Sequence, residues 1–199
     1  MSPYKYYLLP PSEWKQAWWT WAPLGESYIA SLPYSIAIHA TERDLKCTWI
    51  RYQQAIESNR MVATSPTLPA IERYSGTMYK AIAYDIMTES QHTLFNNHVL
   101  ILSWLFGRLT PQDLIPNYKL PITTKWLKQR RSDRLTDHLN TLPDWTHLVD
   151  LLSWVYTKCI KRDSITHTFE RPEFLIDWKR ATHTVKWIKG TWLREQLQA

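Results

Sequence analysis

Glycine is scarce in this chain: four residues in 199, where average usage predicts roughly fourteen. A backbone turns through positive φ most cheaply at glycine, so the chain must fold with few such turns or strain other residues into them. Cysteine is scarcer still. Cys47 and Cys159 are the only two, far apart and without CxxC spacing, which excludes a disulfide scaffold. They read as free thiols of a reducing compartment, a disulfide being the lesser alternative. No apolar run nears the roughly 20 residues of a membrane span; the longest, around Val99–Phe106, is about half that. Met1–Pro11 lacks the basic-then-apolar pattern of a secretory signal. These absences predict a soluble cytoplasmic protein.

Recognisable catalytic and metal motifs are missing too. No GxSxG, Walker or Rossmann glycine pattern occurs, even with every tryptophan replaced by glycine. His39, His92, His98, His138, His147, His167 and His183 are scattered, without HxxxH spacing. Neither a metal nor a cofactor is expected.

What is present is basic and rich in tryptophan. Lys and Arg number 24 against 18 Asp and Glu, a net charge of +6, which favours phosphate-bearing partners. Twelve tryptophans stand beside the four glycines, several where turn chemistry asks for glycine. Trp178 follows Asp177 between two strand-like segments, where Asp-Gly would make a two-residue hairpin turn. Trp18, Trp19 and Trp21 crowd a loop ending in Ala22-Pro23-Leu24-Gly25. The pattern predicts that many of these positions are UGA codons in a bacterium that reads UGA as glycine; UGG at 14, 104, 154 and 178 would exclude it. The alternative is a protein with a genuinely aromatic surface.

Length and composition fit one domain over residues 1–199. Tyr6–Leu9, stopped by Pro10-Pro11, reads as a buried first strand. Helices are expected over Thr41–Ser58, Ile71–Ala83, Gln91–His98 and Lys189–Gln198, and strands over Val99–Ser103, His147–Leu152, Ser164–Phe169, Phe174–Asp177 and Arg180–Val185. Gly107–Pro121 reads as a loop. Thr124–Asn140 reads as a basic amphipathic helix with Leu127, Leu135 and Leu139 inward. The interleaving predicts a mixed α/β (α+β) fold.

Five segments, in chain order, carry a family resemblance. They are Leu8-Leu9-Pro10-Pro11-Ser12-Glu13-Trp14-Lys15; Ser65–Tyr79 with Arg73, Tyr74, Gly76 and Tyr79; Leu102–Leu120 with Gly107, Asp113 and Tyr118; Val149–Tyr156 with Ser153; and His183–Arg194 with Gly190. Together they resemble the YaaA family, with Trp14 and Trp104 standing where that family commonly has glycine. The resemblance implies a mixed α/β fold with a positively charged cleft and a helix-hairpin-helix element, for which Ile36–Asn59 is the expected place. It also implies a cytoplasmic peroxide-stress protein that binds DNA and limits iron and peroxide damage, although the sequence shows no iron ligands.

The residues themselves suggest where contacts lie. Glu13 and Lys15 follow the first strand, where ligand sites of sheet-based folds commonly lie. Lys186, Lys189, Gly190 and Arg194, with Lys15 and Arg73, are candidate phosphate or nucleic-acid contacts. Lys125, Lys128, Arg130, Arg131 and Arg134 form a second basic cluster, which reads equally as a solvated helix face. Double-stranded DNA is the expected partner, and the chain reads as a binding protein rather than an enzyme. The alternative is an enzyme acting on a nucleotide or nucleobase in the cleft, with Glu13, Ser12 and Tyr156 as candidate catalytic groups and lysines on the phosphate. A third reading is a protein–protein module with an aromatic interface.

Overall fold

The computed structural model describes residues 4–25, 32, 34–121, 124, 127–176, 179–180 and 185–197. At its centre is a five-stranded sheet of order β4-β3-β1-β6-β7. Strand β1 (Lys5–Leu9) lies between β3 (Val99–Ser103) and β6 (His147–Asp150), parallel to both, and β7 (Thr168–Glu170) continues parallel beyond β6. Only β4 (Gly107–Leu109), folded back from β3 by a tight turn, runs antiparallel. The inner strands are near-continuous apolar runs because helices cover them, so alternation would expose nothing useful. Tyr7, Leu8, Leu9, Leu100, Ile101, Leu148 and Val149 are all buried. Two polar residues are buried with them, Ser103 and Asp150, each ending its strand.

The helices are more broken than sequence periodicity predicts. The expected helix over Thr41–Ser58 is two. After α1 (Tyr34–Ile38), α2 (Glu42–Leu45) starts from a Thr41–Asp44 capping box and stops at left-handed Lys46, and α3 (Trp49–Arg60) restarts beyond it. The expected helix over Ile71–Ala83 likewise divides into α4 (Ala70–Arg73) and α5 (Thr77–Ile82), because Tyr74 is extended. The Gly107–Pro121 stretch holds β4 and also β5 (Leu114–Ile115), which pairs antiparallel with β2 (Leu68–Pro69). Helices α6 (Glu89–His98) and α7 (Leu127–Asn140) lie where expected, with Leu135 and Leu139 buried. The strand expected over Ser164–Phe169 begins instead with a 3₁₀ turn at Arg162–Ser164.

Near the end of the chain, β8 (Leu175–Ile176) pairs antiparallel with β9 (Lys179–Arg180), whereas Val185, expected in a strand, opens α9 (Val185–Gln196). Asp177, Trp178 and His183 lie outside the described residues, as do Lys125 and the side chains of Leu127, Lys128, Arg130 and Arg131. Helix α9 packs along α5, and Gly190 sits at the contact. A β-carbon there would collide with the Met78 carbonyl oxygen and stand 2.7 Å from the Ala81 Cβ. Among the described residues, no helix is long and apolar enough to cross a membrane.

Candidate functional site

Three parallel strands, β1, β3 and β6, end on the same edge of the sheet, and the segments that follow them converge there. The first runs through Pro10–Ser12 to Lys15; the second is the turn after Ser103; the third carries Asp150 through Ser153 into α8 (Trp154–Thr157). In a sheet of this kind the carboxyl ends of the central strands open the natural crevice. A narrow cleft lies there, lined by Pro11, Ser12, Glu13, Lys15, Tyr118, Lys119, Leu120, Pro121 and Tyr156. Its free space is only about 10 Å³, room for roughly one water.

Lys15 is the cation at its heart. Its Nζ donates to the Ser12 carbonyl at 3.0 Å and lies 4.2 Å from the centre of the Tyr118 ring and 5.5 Å from that of Tyr74. Burial of the amine lowers its pKa to about 7; Glu13 opposes the shift, while Lys119 and Arg73 add to it. Behind it the phenol of Tyr118 meets the Tyr74 hydroxyl at 2.6 Å and the Ser103 hydroxyl at 2.9 Å. Burial raises the pKa of Tyr74 well above the ordinary phenol value, and of Tyr79 as well, so these groups stay protonated. Tyr79 donates to the Pro10 carbonyl at 2.8 Å, fixing the exit of β1. Gly76 lets the Ser12 side chain approach: a β-carbon there would collide with the Ser12 hydroxyl.

Arg73 is nearly wholly buried and faces backbone. Its guanidinium donates to the carbonyls of Ile115 (3.2 Å), Gln16 (2.6 Å), Trp18 (3.0 Å) and Pro66 (3.3 Å). Backbone pairing reinforces the same seam, with Gln16 N–H donating to the Arg73 carbonyl and Ser75 N–H to that of Trp14. Asp113, another motif residue, accepts from the Thr110 N–H at 2.7 Å and closes the turn before β5. Ser153 stands at the start of α8 without a side-chain cap.

The basic stretch on α9 is divided. Lys186 is exposed and Arg194 partly so, but Lys189 points inward, donating to the carbonyls of Leu151 (3.0 Å) and Leu152 (2.8 Å) beyond β6. Burial lowers its pKa to about 8, partly offset by Asp150. Asp150 is fully buried, accepts from Leu152 N–H and the Thr157 hydroxyl, and faces Arg171 at 3.9 Å. Lys189 and Gly190 therefore share the packed face of α9 with Leu193, rather than the face of Lys186, and Leu197 just beyond the helix is buried too.

The structure brings Ser12, Glu13, Lys15, Tyr118 and Tyr156 together and leaves Lys186 and Arg194 outside the cleft lining. Lys119 is a lining residue that sequence reasoning passed over; its position between Tyr118 and Leu120 in a recognised motif was the available signal. A broader groove of about 610 Å³ lies near Tyr74, lined by residues that include Gln16, Trp18, Tyr79, Lys80 and His92. Among the described residues, no three His, Cys, Asp or Glu side chains are grouped as metal ligands would be.

A family model described as peroxide stress protein YaaA matches residues 33–199. A UPF0246 protein of Corynebacterium glutamicum strain R is 30% identical over 206 residues, covering 94% of this chain and 82% of its own length. A UPF0246 protein of Acaryochloris marina is 33% identical over 121 residues, 57% of this chain and 47% of the relative. Another, from Corynebacterium glutamicum strain ATCC 13032, is 33% identical over 129 residues, 59% and 51% respectively. In these last two matches the chain spans about half the length of the relative.

Proposed function

Because the chain belongs to the peroxide stress protein YaaA family, we propose that it serves the peroxide-stress response by binding double-stranded DNA and shielding it from iron and peroxide damage. The observation that carries this reading is the α2–α3 hairpin. Two left-handed residues, Lys46 (φ 52°) after α2 and Trp49 (φ 53°) at the start of α3, turn the chain from one helix into the next. Leu45, Ala55 and Ile56 anchor the pair in the core, while Arg43, Lys46 and Arg51 are exposed around the bend. Exposed cations around such a bend suit a phosphate backbone and read no sequence. We read it as the helix-hairpin-helix element that the family resemblance implies, and the net charge of +6 supports that reading.

The test is fluorescence anisotropy of a labelled duplex at two salt concentrations, with Arg43→Ala, Lys46→Ala, Arg51→Ala and Lys186→Ala. Binding should weaken steeply with salt, and the log–log salt slope should fall by roughly one for each phosphate contact removed. No binding at low salt, or binding indifferent to all four substitutions, would reject the reading.

A second reading is favoured by one observation: the enclosed amine of Lys15, with a pKa about 7, beside Glu13, Lys119 and Tyr156. Such equipment exceeds the needs of non-specific duplex contact. It suits a small nucleotide or nucleobase ligand, with lysines on phosphate and Glu13 available for proton transfer. In the same titrations, made on protein with glycine at position 104, Lys15→Ala should leave duplex affinity unchanged and abolish binding of a fluorescent mononucleotide.

A further inference from the structure

Trp49 and Trp145 adopt left-handed backbone conformations, with φ of 53° and 69°. Among the described non-glycine residues only Lys46 and Ala83 share that region with them. For a bulky aromatic residue it is costly. Nothing around these side chains repays the cost, since Trp49 is 84% and Trp145 86% exposed. The segments read correctly with the other residue: Pro143-Asp144-Trp145-Thr146, with glycine third, is a turn whose every position has a mechanism. Trp104 fails for the opposite reason. It is buried, and its indole N–H is a buried donor without an acceptor, a state that costs free energy and is rare in native proteins. Exposed at two sites for want of contacts and orphaned at a third, these indoles do not belong to the fold that holds them. Trp192 shows the contrast: its ring packs edge-on against Tyr7 and Phe174.

We propose that in its own cell the protein carries glycine at positions 49, 104 and 145, encoded by UGA, and that its strand-end cleft then extends into the room occupied by the Trp104 indole. The codon is a natural pivot, since bacteria differ in reading UGA as stop, tryptophan or glycine. The functional consequence follows from one ring pair. Trp104 lies stacked at 6.3 Å and 22° on Tyr156, and Tyr156 lines the cleft. Remove the indole, and a flat slot opens beside Tyr156, which lines the cleft together with Lys15 and Lys119. Its shape takes a planar aromatic ring, and with two lysines at the mouth the ligand class is a purine-sized nucleobase bearing phosphate. This ligand rests on the second reading above; the glycine assignment does not.

The first test is the gene sequence together with peptide mass spectrometry of the protein isolated from its own cells. UGA codons and glycine-mass peptides at all three positions are expected. A UGG codon, or tryptophan in the peptide, at any of them overturns the glycine assignment. The second uses protein made in an ordinary host with Trp49→Gly, Trp104→Gly and Trp145→Gly combined, titrated with indole and with adenine. Both should bind this variant saturably, and neither should bind the chain that retains Trp104. Absence of indole binding overturns the slot. Indole binding without adenine binding overturns the nucleobase ligand and leaves the glycine assignment standing. Trp49→Gly and Trp145→Gly alone should each raise the unfolding temperature, whereas Trp192→Gly should lower it; a fall at both 49 and 145 also counts against the assignment.

Discussion

Two lysines are held inside this protein beside neighbouring strand ends, and their surroundings differ. Lys189, from α9, reaches two carbonyls beyond β6 and lies within the field of the buried Asp150. Lys15, beyond β1, has one carbonyl and two aromatic rings; Glu13 offsets part of the cost of its burial, while the cationic side chains of Lys119 and Arg73 oppose its charge. The first is the better compensated, its pKa lowered only to about 8, and it joins a helix to the sheet. The second is left with a pKa about 7 at the edge of a cleft. Burial alone therefore does not mark a functional cation; burial with incomplete compensation does.

Lys189→Ala gives the largest effect that can break this contrast. It removes the donor to two carbonyls and leaves Asp150 with a weaker cationic field, and should cost about 1–3 kcal/mol for each carbonyl left unpaired, read from urea unfolding. A loss as small as that of a surface substitution would show that the inward lysine is not structural. Gly190→Ala probes the same joint without touching charge. The new methyl group meets the Met78 carbonyl, so α5 and α9 must separate, at about 1–3 kcal/mol.

Lys15→Met has its signature in the pH dependence of stability. The folded pKa, about 7, lies below the 10.5 of an exposed lysine. Between those values the unfolded chain binds more protons, so stability rises with pH, by at most about 1.4 kcal/mol per pH unit. Lys189 adds its own rise above about pH 8. Unfolding at pH 7, 8 and 9 should thus show the rise from 7 to 8 in the original chain and its loss in Lys15→Met, with part of the later rise retained. An unchanged profile would mean that Lys15 is not the group left uncompensated.

The sheet was legible in the sequence where burial imposes continuous apolar runs: Val99–Ser103 is the strand expected, and β1 and β6 differ by only a residue or two at their ends. Less was visible where local geometry overrides periodicity. Lys46 and Tyr74 interrupt helices whose apolar spacing continues across the break, because a left-handed cap and an extended residue leave no mark on spacing. Lys15, Ser12 and Tyr156 were legible as neighbours of one cleft because each follows a strand that ends on one sheet edge. The inward turn of Lys189 was not, since a Lys-x-x-Lys-Gly stretch looks the same on either face of a helix. Nor was Arg73's commitment to four carbonyls: its acceptors come from segments up to 57 residues away, and a main-chain acceptor has no side-chain signature.

That cluster of carbonyls bears on how the molecule can move. Arg73 fastens the chain at Gln16 and Trp18 to the segments around Pro66 and Ile115, and the Trp21–Thr67 bridge adds a further tie just downstream. The stretch after Lys15 therefore cannot swing away by itself, because release at one point strands acceptors at the others. In hydrogen exchange, amides of 16–21 and 67–74 should open together as one cooperative unit. On this side of the cleft the part left to open is the short arc from Pro11 to Glu13, ahead of the Trp14–Ser75 and Lys15–Tyr74 pairings, which makes one arginine a clasp that limits where this segment can move.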